Sequence, residues 1–134
     1  YVEEGGGLLL SHDTAWFMAS PFPEVAARGV PEHRVEAGRH VVGTDLVIAA
    51  AHPALDDQAP GTRFATEFND HMIFVPGPAG QVLIRNVFGD PVYVAAQVGK
   101  GRVVYSGCYY GYAGPLDGVE AQVLGGIVRW LAGR

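Results

Sequence analysis

The segment that most limits what this chain can become is its opening, Gly5-Gly6-Gly7-Leu8-Leu9-Leu10-Ser11-His12-Asp13. A glycine turn feeds a short, uniformly apolar run, and that run ends in three polar side chains. Continuous apolar strands without alternation belong to parallel sheets covered on both faces. In open α/β sheets, ligands bind in the crevice beyond the carboxyl ends of the strands. The sequence therefore predicts a buried strand over Leu8 to Ser11, with Ser11, His12 and Asp13 where chemistry would be found. Tyr1 to Glu4 reads as the tail of a helix capped by the glycines. The first residue is Tyr rather than Met, in what reads as mid-domain, so further β/α units are expected ahead of it.

The rest of the chain supports one α/β domain. At 134 residues, 49% of them hydrophobic and 17% charged, it fits a single buried core. The net charge of −5, a single lysine and no basic run exclude a nucleic-acid footprint. The longest apolar run, Leu46 to Ala51, is far short of the ~20 residues of a membrane helix. One cysteine, Cys108, rules out an intrachain disulfide and a cysteine-cluster metal site. It suits the cytosol and leaves export open.

Strands are expected over Asp45–Ala51, Val82–Val87, Val92–Val98 and Arg102–Ser106, with an extended stretch from Arg63 to Val75. Gly99-Lys100-Gly101 joins the last two strands as a hairpin. No helix N-terminus follows those glycines, so a phosphate loop is rejected. A short helix is predicted from Phe22-Pro23-Glu24-Val25 through Arg28. Asp117 to Leu131 is the clearest helix, with Val119, Val123, Leu124, Ile127, Val128 and Leu131 at helical spacing.

Three pieces in order resemble the ThuA-like (trehalose-utilisation) family of the class I glutamine amidotransferase-like superfamily. They are Gly-Gly-Gly-Leu-Leu-Leu-Ser-His; His52-Pro53 followed by Phe68-Asn69-Asp70-His71; and Val98-Gly99-Lys100-Gly101-Arg102-Val103-Val104-Tyr105 before a helix ending Trp130-Leu131-Ala132-Gly133. The resemblance implies a flavodoxin-like α/β sandwich with a mixed sheet, here amino-terminally truncated. Residues 1–134 would be one domain, the carboxy-terminal portion of the family domain. It also implies a link to disaccharide or keto-sugar metabolism. The chain departs from the family pattern in one further place. A Gly-His pair usual near the end of the last hairpin strand is replaced by Gly107-Cys108-Tyr109-Tyr110, and the nucleophilic cysteine of the amidotransferases has no counterpart.

A Ser-His-Asp hydrolase triad is disfavoured, because His12 and Asp13 are sequence neighbours and Ser11 lacks the flanking glycine of a nucleophile elbow. His12 is read as a general base or ligand contact; otherwise Ser11 and Asp13 merely cap the following turn. Asp70 and His71 are adjacent on an extended segment, so only one can enter a pocket. The resemblance favours Asp70; the alternative is a solvated Asp-His pair at a sheet edge. Tyr109 and Tyr110 follow a strand end, where their rings would stack on sugar faces. The alternative for the tyrosines is packing in the core with Trp16 and Trp130. His12, Asp13, Asp70 and His71 contain ligand types suited to a divalent metal, yet their spacing matches no metal motif, so no cofactor is predicted. His33, His40 and His52 read as surface or turn residues.

The resulting expectation is a saccharide or keto-sugar site: His12 and Asp70 catalytic, with Ser11, Asp13, His71, Tyr109 and Tyr110 binding. The alternative is a non-catalytic interaction or oligomerisation module whose open sheet edge is completed by a second copy or another chain.

Overall fold

The computed structural model describes residues 1–18, 20–28, 41–112 and 114–134. The expectations for His33 and His40 lie outside the described residues, as does the side chain of Trp16.

The strands are β1 (Gly7–Ser11), β2 (Ala26–Arg28), β3 (Val41–Val42), β4 (Asp45–Ile48), β5 (Arg63–Ala65), β6 (Asp70–His71), β7 (Phe74–Pro76), β8 (Gln81–Asn86), β9 (Pro91–Val98) and β10 (Gly101–Ser106). The helices are α1 (His12–Phe17) and α2 (Gly118–Leu131), with a 3-10 turn at Pro53–Leu55. Six strands form one mixed sheet in the order β1-β10-β9-β8-β4-β5, flanked by the two-stranded ribbons β2-β7 and β3-β6. Only β1 and β10 pair in parallel; the remaining neighbours are antiparallel. Strand order and helices agree broadly with a flavodoxin-like sandwich.

Side-chain alternation divides the interior into two cores, one on each face of the sheet. From β9 and β10, Tyr93, Ala95 and Val104 enter the first core, beneath Val123 and Ile127 of α2. Val94, Ala96, Val103 and Tyr105 enter the second, which also holds Ala15 of α1 and Ala26 and Phe74 of the β2-β7 ribbon. A register irregularity in β8 breaks the alternation. Leu83 and Ile84, though neighbours, both pack in the first core, as expected where a bulge turns a strand.

Helix α2 carries the predicted stripe, with Val123 and Ile127 fully buried, each stabilising by ~1.5–3 kcal/mol. Val128 faces outward instead. The hairpin forms as read, with Val98 opposite Gly101 and Gly99 at φ +59°. Gly101 is needed for a different reason: a Cβ there would run into the Val2 and Gly6 carbonyls. The opening turn carries the paired bonds of a helix cap, Gly6 N–H to the Tyr1 carbonyl and Gly5 N–H to the Val2 carbonyl.

The helix predicted through Arg28 does not form. One turn closes, with Val25 and Ala26 N–H both donating to the Phe22 carbonyl. The chain then extends as β2 against β7. Complete burial of Val25 and Ala26 outweighs local helix preference there, a tertiary override of propensity. A short helix, α1, follows β1 directly where only a turn was read.

Candidate functional site

The site is built at the common end of β1 and β10. Their register sets Ser11 opposite Ser106, so both strands stop at the same level. Ser11 is still extended, at φ −115° and ψ 141°, and the next residue opens α1. That residue, His12, has φ +42°. A non-glycine residue there is strained by ~1–3 kcal/mol, and such strain gathers at functional sites. Hydrolases hold their nucleophilic serine on the same kind of sharp strand-to-helix turn. Here an imidazole occupies it.

The imidazole is 3% exposed and lies between two carboxylates. Its Nε2 is 2.9 Å from Asp70 Oδ1, and its Nδ1 is 3.7 Å from Asp13 Oδ1. An ionised carboxylate only accepts, so Nε2 carries the proton donated to Asp70. That bond fixes the ring's tautomer and orientation. The rings of Phe68 and Tyr109 stand edge-on to His12, with centroids at 5.7 and 5.3 Å. Tyr112 completes the rim, at 5.2 Å from Phe68 and 5.6 Å from Tyr109. Tyr109 is 39% exposed and Tyr112 70%, so the rim presents aromatic surface to solvent.

Beside His12 lies a cavity of about 280 Å³ lined by Ser11, Asp13, Thr14, Tyr109 and Tyr110. A hydroxyl row runs from it into the core. Tyr110 Oη is 2.7 Å from Ser106 Oγ and 2.7 Å from Tyr93 Oη. Ser106 Oγ also accepts the Cys108 N–H at 3.2 Å. Burial pushes the Tyr93 and Tyr110 phenols above their usual range, so both stay protonated and act as hydroxyl donors.

Cys108 follows β10 but is no nucleophile. It is buried, and its thiol is pushed up to about 12, chiefly by burial, with the charges of Glu120 and Asp70 adding to the effect. The reactive species of cysteine is the thiolate, which is negligible there at neutral pH.

Ser11, His12, Asp13, Asp70, Tyr109 and Tyr110 are thus brought together. His71 is turned the other way, as adjacent residues on a strand must be. Its Nδ1–H donates to the Gly43 carbonyl at 2.9 Å, and its Nε2 accepts from Asn86 Nδ2 at 3.1 Å. Asn86 Nδ2 also donates to Asp90 Oδ2 at 3.1 Å. Among the described residues, no group of three His, Cys, Asp or Glu side chains is arranged to hold a metal ion. Two other tyrosines, Tyr93 and Tyr105, are fully buried, with Tyr105 Oη accepting the Phe22 N–H at 3.0 Å. Phe68 enters the sequence reading only within the Phe68-Asn69-Asp70-His71 run, with no site role of its own. Its spacing of two from Asp70 in an extended segment was the available signal that both share a face.

A larger cleft of about 490 Å³, lined by Ala51, His52, Pro53 and residues 57–60, lies beyond the carboxyl end of β4. Since β4 runs opposite to β10, this is the far end of the sheet. His52 sits there as the turn residue expected, its Nδ1 accepting the Ala54 N–H at 3.1 Å.

No protein-family model matches this sequence, and no curated protein matches it. Solved structures do match. A cytoplasmic protein of Salmonella typhimurium superposes with a TM-score of 0.63 at 12% identity, over 98% of this chain and 57% of its own. A ThuA-like protein of Parabacteroides merdae gives a TM-score of 0.61 at 17% identity, over 100% of this chain and 63% of its own. The chain shares their fold. It spans about three-fifths of the length of either structure.

Cys108 provides a direct check on the chemistry excluded here. Iodoacetamide at mildly alkaline pH should leave the native thiol unmodified and alkylate it stoichiometrically in denaturant. Rapid labelling of the folded protein would contradict the buried, protonated assignment.

Proposed function

We propose that this chain binds a saccharide or keto-sugar at the aromatic rim and uses the row Asp13–His12–Asp70 for proton transfer next to a carbonyl. The observation that carries this reading is the His12–Asp70 pair, held on a strained turn and bordered by a cavity whose lining includes Asp13. Each part has a role that follows from its chemistry. Tyr109 and Tyr112 offer ring faces to the apolar faces of a sugar. Ser11 and Thr14 supply hydroxyls for its polar edge, while Tyr110, whose Oη is bonded inward to Ser106 and Tyr93, forms part of the cavity wall. Asp13, half-exposed in the cavity wall, meets the ligand and exchanges a proton with His12 through Nδ1. Asp70 stabilises the imidazolium that results through Nε2. The 3.7 Å between Asp13 and Nδ1 is long for a hydrogen bond, and such distances shorten when substrate is bound. The likeness to a ThuA-like protein adds support for a carbohydrate ligand.

A second reading has an observation of its own. Among the described residues β1 lies at the edge of the sheet, yet it is apolar and parallel, a pattern that belongs inside a sheet. Pairing of that edge with a second copy of the chain would make this an assembly module. Light scattering across a range of protein concentrations should then give a dimer mass; a monomer at every concentration would remove this reading.

The site reading is tested by calorimetry and turnover assays against a panel of disaccharides and keto-sugars. Asp70→Asn and Asp13→Asn should slow turnover by ~10²-fold or more, the usual scale of acid–base catalysis, with ligand affinity changed only a few-fold. Tyr109→Ala should weaken binding by about tenfold, the loss of ~1.4 kcal/mol of ring contact. Turnover that survives both His12→Ala and Asp70→Asn would sink the proposal.

A further inference from the structure

Behind the rim lies a second pair of acids that the proposed chemistry does not use. Glu120, 4% exposed, is the third residue of α2. With Asp117 it has the spacing of a reciprocal helix cap, but Asp117 makes no side-chain cap bond. Glu120 instead reaches across to another segment, where its Oε2 accepts the Glu67 N–H at 2.7 Å. The remaining oxygen of Glu120 and both carboxylate oxygens of Glu67 are buried without a hydrogen-bond partner. The groups that face Glu120 electrostatically are Glu67, Asp117, Cys108 and Tyr110. None of them is a cation. Ionised carboxylates only accept, so among the described residues these three buried oxygens have no donor unless a carboxyl carries a proton.

The segment held this way matters to the site. Glu67 lies between β5 and β6, one residue before Phe68 and three before Asp70. Phe68 packs on the His12 ring, and Asp70 bonds its Nε2. Thr66 Oγ1 donates to the Phe68 carbonyl at 2.9 Å, which closes the segment into a compact turn. The Glu120 carboxyl is its tie to α2.

We propose that the buried Glu120 carboxyl holds a proton and acts as a latch: while the proton is held, the Glu67–Asp70 segment is seated on α2 and the His12–Asp70 pair is aligned. When the proton leaves to solvent, a buried carboxylate is left among the Glu67 and Asp117 charges and the segment loosens. The direction of the Glu120 titration agrees. Burial raises it most, the charges of Glu67 and Asp117 raise it further, and the Glu67 amide opposes them. A carboxyl raised in the folded state contributes stability that is complete below its unfolded value and is lost as pH rises through its folded value. Glu120 and Glu67 are therefore positioning residues. The consequence for catalysis rests on the reading of His12 and Asp70 as the site, whereas the latch itself does not.

The experiment is a pH titration of the isotopically labelled chain by NMR, with no sugar present. It follows the Glu120 carboxyl carbon, the Glu67 amide, the Phe68 ring and the Asp70 carboxyl carbon. The expected result is a shared midpoint above the ordinary glutamate value of about 4.3, seen in all four signals. Glu120→Gln keeps an acceptor for the Glu67 amide and removes the titration, so that step should vanish from Phe68 and Asp70. Glu67→Gln removes the like charge and should lower the Glu120 midpoint; it serves as the second variant if Glu120→Gln does not fold. A Glu120 midpoint in the ordinary range overturns the latch. So does a pH response of Phe68 and Asp70 that persists in Glu120→Gln, or a Glu67 and Glu120 response to added Ca²⁺ in place of protons. Any of these leaves the saccharide reading standing, since none involves ligand.

Discussion

The pairing of β1 with β10 decides where everything else at the site can be. Ser11 stands opposite Ser106, so the chain leaves the sheet at one level on both strands. It turns into α1 from β1, and into the Gly107–Tyr112 segment from β10. Close fits hold that register. Gly101 sits against the Val2 and Gly6 carbonyls, and Gly7 against the Leu131 carbonyl of α2. Neither position has room for a Cβ. A slip of one residue would exchange the two faces of the strand, moving Leu10 out of its core and taking His12 away from Asp70.

Within that frame, His12 is over-determined. Its positive φ is unfavourable alone, but the ring is packed between Phe68 and Tyr109 and bonded to Asp70. The same contacts that offset the strain also fix the orientation of the ring. Alternation along β6 makes the complementary choice. Asp70 goes to the site, while His71 goes to a buried network with Gly43 and Asn86. The two histidines therefore have different surroundings: one is held behind the cavity wall by Asp70 and two aromatic rings, and the other satisfies backbone and amide groups inside the fold.

Much of this was legible from local pattern. Glycines, alternation and helical spacing marked β1, β4, β8, the β9–β10 hairpin and α2, and the strand-end rule pointed to Ser11, His12 and Asp13. Opposite faces for Asp70 and His71 followed from period two alone. What local pattern could not reveal was decided by distant contacts. β2 is a strand because β7 pairs with it and the core buries Val25 and Ala26. Tyr112 and Phe68 become a rim only when β6 and the segment after β10 converge. Glu120 drew no reading from the sequence, and only the fold brings it to the Glu67 amide, 53 positions away.

The proposed site puts ligand chemistry at the β1–β10 end of the sheet. Chemical-shift mapping of the labelled protein during titration with a keto-sugar locates the ligand independently of activity. Perturbed amides and side chains are expected at Ser11–Thr14, Phe68–Asp70 and Tyr109–Tyr112. Perturbations confined to the cleft at Ala51–Pro60, at the opposite end of the sheet, would contradict that placement.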